Sequence, residues 1–191
     1  MIEVDYNDLP GVRSTLLKEL WLKSAAHARY MLDHPDAGRT ASRDWLNAVH
    51  CAGLEPEHFD GRYSMYKGTR RGKNYEAHVD SHPGTLALNE TGYGSAKAIG
   101  KAARSHPVAG PMLTGPGESE KVCVWTDEET GLKCKAKLDR WIPGMALVGD
   151  LKTIGDGDAD ALVKMMLRMG WHIQLAHYIA GSQPYPRSAP C

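Results

Sequence analysis

Two carboxylates and an ammonium fall close together in the stretch "AKLDRWIPGMALVGDLKT": Asp139, Asp150 and Lys152. Side chains alternate along a strand, so in "GDLKT" Asp150 and Lys152 share one face while Gly149 and Leu151 take the other. The same alternation in "LKCKAKLDRW" sets Lys133, Lys135, Lys137 and Asp139 on one face, a basic track that ends in a carboxylate. If these two strands pair, Asp139 and Asp150 come within reach of one ion. Two carboxylates and a backbone carbonyl are hard oxygen ligands of the kind that suits Mg²⁺ or Mn²⁺, ions that keep several waters for chemistry. A neighbouring ammonium can orient or help deprotonate such a water, and the cation offsets charge at a phosphodiester transition state. The pattern therefore fits phosphodiester hydrolysis. D-x-K also occurs by chance, most often as a surface ion pair on an edge strand, so its surroundings decide its weight. Downstream, "GWHIQLAHYIAG" places Gln174 and Tyr178 at i and i+4, one polar pair on an otherwise apolar helix expected to pack beside that strand.

The elements that must hold these residues can be read from periodicity and breakers. The first third reads as helix: "RSTLLKELWLK" with Ser14 as N-cap, "SAAHARYMLDHP" restarting at Ser24 and stopping near Pro35, and "SRDWLNAVHCAGL", in which Leu46, Val49, His50 and Gly53 recur at helical spacing. The middle gives a helix around "GKNYEAHV", a turn at "SHPG", a short "TLAL" and a helix through "GSAKAIGKAARSHP", closed by the Gly/Pro-rich break "AGPMLTGPGE". Strand character follows. "SEKVCVW" and "LKCKAKLDRWI" flank the turn "TDEETG" as a hairpin, and "MALVGDLKTI" continues as a third strand. One long helix over 160–181 closes the regular part and is expected to pack on the sheet. The expected fold class is α+β (α/β): a helical N-terminal part, 1–113, followed over 118–181 by a mixed sheet flanked by helices, in one domain spanning 1–191 with an irregular tail, 182–191.

Composition narrows the classes. The chain has 191 residues, 42% hydrophobic and 24% charged, which is ordinary for a protein with one core. It shows no run long enough to cross a bilayer and no basic, apolar leader, so a cytoplasmic setting without membrane association is expected. Cys51, Cys123, Cys134 and Cys191 form no C-x-x-C pair, which argues against a zinc or iron–sulfur site, and free thiols are expected even though Cys123 and Cys134 flank the hairpin. Lys plus Arg (23) balances Asp plus Glu (23), so global charge names no partner. Locally, "YKGTRRGK" gathers Lys67, Arg70, Arg71 and Lys73 between glycines, a basic loop suited either to phosphates or simply to solvent.

The order of a helix-borne histidine, "GLKCKAKLDRW", "GDLKT" and Q-x-x-x-Y resembles the PD-(D/E)xK nuclease superfamily. Within it the chain looks most like the exodeoxyribonuclease VIII (RecE-type) group, related to lambda exonuclease and the RecB nuclease domain. The similarity covers most of the chain, including "SAAHARYMLDHP", "NAVHCAGLEPEHFDGRY", "VWTDEETGLKCKAKLDR" and "HIQLAHYIAG". The resemblance implies that Asp139, Asp150 and the carbonyl of Leu151 bind Mg²⁺, or Mn²⁺, with His50 as a metal-proximal histidine, and that Lys152 acts on the attacking water. It implies that Gln174 and Tyr178 position DNA or brace the site, with Lys137, Arg70 and Arg71 on the DNA side. Glu120 stands where the family often has an acidic strand residue and receives no role. The implied partner is double-stranded DNA, with a homo-oligomer and a single-strand annealing protein as further partners by analogy.

Two departures from that pattern stand out. Before His50 the family usually has small residues, whereas this chain has Leu46 and Asn47 where close helix packing is expected. The family fold also continues past the Q-x-x-x-Y helix with at least one more strand, whereas this chain runs into "SQPYPRSAPC". The expectation is a nuclease core lacking its final strand, with an exposed edge. Two functional readings stay open: an Mg²⁺-dependent exonuclease of duplex DNA in phage-type recombination or repair, and a catalytically weak or inactive remnant that at most binds DNA.

Overall fold

A computed structural model describes residues 6–34, 41–155 and 157–182. In chain order they form α1 (Ser14–Leu22), α2 (Ala25–Asp33), α3 (Ala41–Leu54), α4 (Phe59–Arg62), β1 (Tyr63–Tyr66), α5 (Lys73–Ser81), β2 (Leu86–Asn89) and α6 (Glu90–Arg104). There follow α7 (Ala109–Thr114), β3 (Glu118–Thr126), β4 (Lys133–Ile142), β5 (Leu147–Gly149), α8 (Ala159–Arg168) and α9 (Trp171–Ser182). This is the mixed α+β class expected. The chain divides into two compact units, Met1–Ala37 with Gly117–Cys191, and Gly38–Pro116.

The first unit is built on an antiparallel sheet in the order β3-β4-β5. The expected hairpin forms because its turn is well supplied: the Asp127 carboxylate accepts the Thr130 N–H (2.9 Å) and hydroxyl (2.6 Å), and Gly131 takes a left-handed φ of +69°. Trp125, Cys134, Ala136, Leu138 and Tyr178 make the core between the sheet and α9. Cys123 is level with Ala136, and Cys134 with Trp125, so the two thiols are not cross-strand partners; these two and Cys51 are thiols, not half-cystines, while Cys191 lies outside the described residues. Val12 runs beside the start of β4, donating to the Lys133 carbonyl and accepting the Lys135 N–H, both at 2.8 Å. It covers the stretch of β4 that the short β5 leaves unpaired.

Several expectations are corrected. Lys135 is not part of a solvated track: it is buried, and its ammonium donates to the carbonyls of Tyr6 (3.0 Å), Asn7 (3.2 Å) and Leu9. The third strand is only three residues long, because Pro143–Met145 form a 3-10 turn and Ala146 adopts a left-handed φ of +48° before pairing resumes. Asp150 and Lys152 thus lie just beyond β5. The long C-terminal helix is interrupted at Gly170, whose φ of +64° ends α8 with the glycine turn typical of helix C-termini. Ser14 is the first helical residue of α1 and gives no side-chain cap, whereas Ser24 does cap α2, accepting the His27 N–H. The tail over 183–191 lies outside the described residues.

In the second unit β1 and β2 pair in parallel, joined through α5, a crossover unit that four-residue strands conceal in the sequence. "AGPMLT", read as a break, forms α7, since Pro111 sits in its first turn where a missing N–H costs no hydrogen bond. Close packing of α3 against α6 comes from Ala48, Ala52, Ala96 and Gly100. A Cβ on Gly100 would lie 2.5 Å from the Ala52 carbonyl carbon. The small residues expected just before His50 are thus supplied at other positions, while Leu46 and Asn47 are exposed.

Candidate functional site

The antiparallel register assembles the site. Arg140 pairs with Gly149, so carrying the register one residue on sets Asp150 level with Asp139. On the other side Ser119 pairs with Arg140 and Lys121 with Leu138, which sets Glu120 level with Asp139 too. Three acidic residues are therefore level across the sheet, Asp150 one residue past the end of β5. Like charges facing each other across a sheet are destabilising unless a cation separates them.

Burial sharpens that conflict. Asp139 is buried, and the Asp150 side chain is only 5% exposed. The Leu151 N–H donates to Asp139 Oδ2 at 2.8 Å, tying the residue after Asp150 to the neighbouring strand. Burial, then the charge on Asp150, push the Asp139 carboxyl up to about 7, and Glu120 adds to the rise. The Leu151 N–H and Lys152 only partly counter it.

Helix α9 braces the second carboxylate. Gln174 Nε2 donates to Asp150 Oδ1 (3.0 Å) and to the Tyr178 hydroxyl (2.8 Å), using both of its hydrogens. Its Oε1 accepts from Lys18 Nζ at 3.1 Å, which brings α1 into the site. The i, i+4 spacing of Gln174 and Tyr178 makes this possible, since both side chains rise from one side of the helix. Lys152 Nζ lies 2.6 Å from Asp150 Oδ2 and 5.8 Å from the centre of the Trp171 ring. Burial and the nearby Lys152 hold the Lys18 ammonium below the usual lysine range, with Asp150 and Glu19 acting the other way. Burial, and the neighbouring Asp139, raise the Tyr178 phenol above its ordinary value, so it stays protonated.

The structure thus brings together Asp139, Asp150, Leu151, Lys152, Gln174 and Tyr178. Lys137 is exposed and forms an ion pair with Glu120. His50 lies half-buried on α3, in the other unit, with Arg70 and Arg71. Arg70 pairs with Asp44 at 3.5 Å and Lys67 with Glu90 at 3.0 Å, so part of the basic loop's charge is already compensated.

Glu120 and Lys18 were not assigned by sequence reasoning. Glu120 carries φ +53°, a left-handed conformation inside a strand that costs a non-glycine residue about 1–2 kcal/mol. Lys18 had only a weak signal, one cation inside the apolar run "TLLKELWL".

Among the described residues, no three His, Cys, Asp or Glu side chains gather into a ready metal cage. What the site offers is two buried carboxylates, one of them resisting ionisation because of burial and its neighbour's charge, beside a backbone segment anchored to it through the Leu151 N–H. That donor set fits a hard divalent cation that retains water.

A family model described as "PDDEXK-like domain of unknown function (DUF3799)" matches residues 16–187, and the chain belongs to that family. Its fold is therefore of the nuclease type. No curated protein matches the chain. Among the described residues no helix is long and apolar enough to cross a membrane.

Proposed function

We propose that this chain, as a PDDEXK-like protein, is a metal-dependent deoxyribonuclease that hydrolyses phosphodiester bonds of double-stranded DNA. The finer reading is an exonuclease of the exodeoxyribonuclease VIII type, serving phage-type recombination or repair. The observation that supports it best is the row of Glu120, Asp139 and Asp150, level across the sheet and flanked by Lys152 and Lys18. The Asp139 carboxyl, buried and raised beside Asp150, is a perturbed group of the kind that clusters at functional sites.

In this reading Asp139, Asp150 and the Leu151 carbonyl would hold Mg²⁺ or Mn²⁺, with Glu120 as a third acid close by and His50 assigned only by resemblance. The bound cation would supply positive charge to offset the developing charge on the phosphodiester. Asp150 is fixed by Gln174, so its carboxylate cannot swing away when the cation is absent. Lys152, held by Asp150 on one side and near the Trp171 face on the other, orients the attacking water and takes part in its proton transfer. Tyr178 keeps its proton and, through Gln174, holds the brace in one hydrogen-bonded arrangement. Lys137 and the Arg70/Arg71 loop contribute phosphate contacts. A homo-oligomer and a single-strand annealing partner belong to the same proposal by resemblance.

The test uses one DNA sequence as a linear duplex and as a covalently closed circle, with Mg²⁺, with Mn²⁺ and with chelator. Metal-dependent loss of the linear form alone is expected, abolished by Asp150→Asn. Cleavage that persists in chelator, or no cleavage with either metal, overturns the enzymatic reading; DNA binding without cleavage then assigns the remnant.

A further inference from the structure

Helix α6 carries a feature that the carboxylate site does not use. Lys97, Lys101 and Arg104 are spaced i, i+4 and i+7 along it, which places them on a single stripe at 3.6 residues per turn. The buried Ala96 and Gly100 hold α6 against α3, leaving the stripe at the side of that contact. It borders a cavity of about 360 Å³ whose other walls include Ala52, Pro56 and Phe59.

The charges on the stripe are not equivalent. Lys97 Nζ is held by both oxygens of Asp60, at 2.9 and 3.2 Å, so its charge is largely cancelled. Arg104 donates to the Gly53 carbonyl at 3.3 Å, a neutral acceptor that aims the guanidinium without neutralising it. Lys101 stands exposed one turn away. Two cations with no acidic partner among the described residues, beside an apolar hollow in a chain of formal net charge zero, fit a ligand with repeated anionic groups and an apolar body between them. A phosphodiester backbone has that alternation, its phosphates repeating every ~3.4 Å along the duplex axis and separated by sugars. Lys101 and Arg104 are about 4.5 Å apart along the helix, a rise that lets both side chains meet phosphates of one strand.

We propose that this face of α6 docks the DNA backbone, with Lys101 and Arg104 on phosphates and the apolar hollow against the sugars, adding affinity without reading sequence. The inference rests on the proposed action on DNA. The experiment measures binding of a fluorescently labelled duplex, in chelator, as a function of salt. The variants are Lys101→Ala, Lys101→Glu and Lys101→Ala with Arg104→Gln. Each phosphate contact contributes about 0.9 to the slope of log K against log salt. The double variant is expected to lose nearly two units of slope, and Lys101→Ala about one, which corresponds to roughly eightfold in affinity at 0.1 M salt. Lys101→Glu changes an exposed side chain and keeps the test sound if Arg104→Gln loosens the α3 terminus; it is expected to weaken binding more than Lys101→Ala. Mg²⁺ affinity, by calorimetry without DNA, is expected to stay unchanged in all three. Wild-type binding with a normal slope that Lys101→Glu leaves untouched overturns the docking face and leaves the nuclease reading standing. A wild-type chain that shows no salt-sensitive DNA binding overturns the nuclease reading, and the docking face with it.

Discussion

Asp139→Asn separates the metal reading from a purely structural one by its sign. In the folded chain the Asp139 carboxyl is raised from 3.8 to about 7, chiefly by burial and then by Asp150. Between those values the folded state binds a proton that the unfolded state has released, so the stability from this group is present at low pH and lost as pH rises toward 7. Each pH unit in that window costs about 1.4 kcal/mol, and the full window roughly 4 kcal/mol at most, because the shift is shared with Asp150. Asparagine keeps the shape and an oxygen for the Leu151 N–H but never ionises. In chelator, the variant is therefore expected to match the wild type near pH 4 and to exceed it at pH 8, by as much as ~10 °C in Tm for a chain of this size. Mg²⁺ acts in the opposite direction: at a hundred times Kd it stabilises the wild type by about 2.7 kcal/mol and the variant hardly at all, which narrows the gap between them at pH 8. Thermal melts at pH 4.5, 6 and 8, with Mg²⁺ and with chelator, read all of this. Parallel pH profiles for the two proteins, or a variant that is less stable at pH 8 in chelator, would refute the reasoning.

Four further outcomes are expected. Lys152→Ala lowers Mg²⁺-dependent DNA hydrolysis by about 10²–10⁴-fold and also lowers Tm in chelator, because it removes the ion-pair partner of the buried Asp150 carboxylate; rates and melts on one preparation check it. Glu120→Gly relieves the left-handed backbone and raises stability by about 1 kcal/mol while weakening Mg²⁺ binding, read by melting and calorimetry together. Gly100→Ala drives a methyl into the Ala52 backbone and costs about 1–3 kcal/mol by denaturant unfolding. Arg70→Ala with Arg71→Ala reduces the salt slope of DNA binding by less than two units, since Asp44 already compensates Arg70; an unchanged slope would mean the loop never meets the backbone.

The elements legible in the sequence are those whose signals are local. "TDEETG" carries a full turn chemistry in its own side chains, and the expected hairpin forms around it. Ser24 sits at the edge of an apolar periodic run and caps α2 as such residues do. The failures arise where a tertiary partner decides. The β1–β2 pair is too short for either strand to show a pattern, and each needs the other through a crossover helix. Lys135 obeys the strand alternation that placed it beside Asp139, yet the N-terminal segment lays its carbonyls across that ammonium and buries it. Alternation predicts a face; it does not predict what covers the face.

The candidate site divides along the same line. Spacing marks Asp139, Asp150, Lys152, Gln174 and Tyr178 in the sequence and the structure brings them together, although Asp150 and Lys152 lie past the end of β5. Asp150 and Lys152 even keep their mutual contact after β5 has ended, since the Leu151 N–H anchors the segment to Asp139. Glu120 had the right strand and the right register but no visible reason to matter. Its reason lies in a backbone torsion, φ +53°, that no residue type advertises and that glutamate disfavours. A strand that needed only to pair would avoid this conformation or place glycine there. Glutamate at that point stores backbone strain, and its carboxylate, paired with Lys137 on one side, still adds to the rise of the buried Asp139 carboxyl on the other.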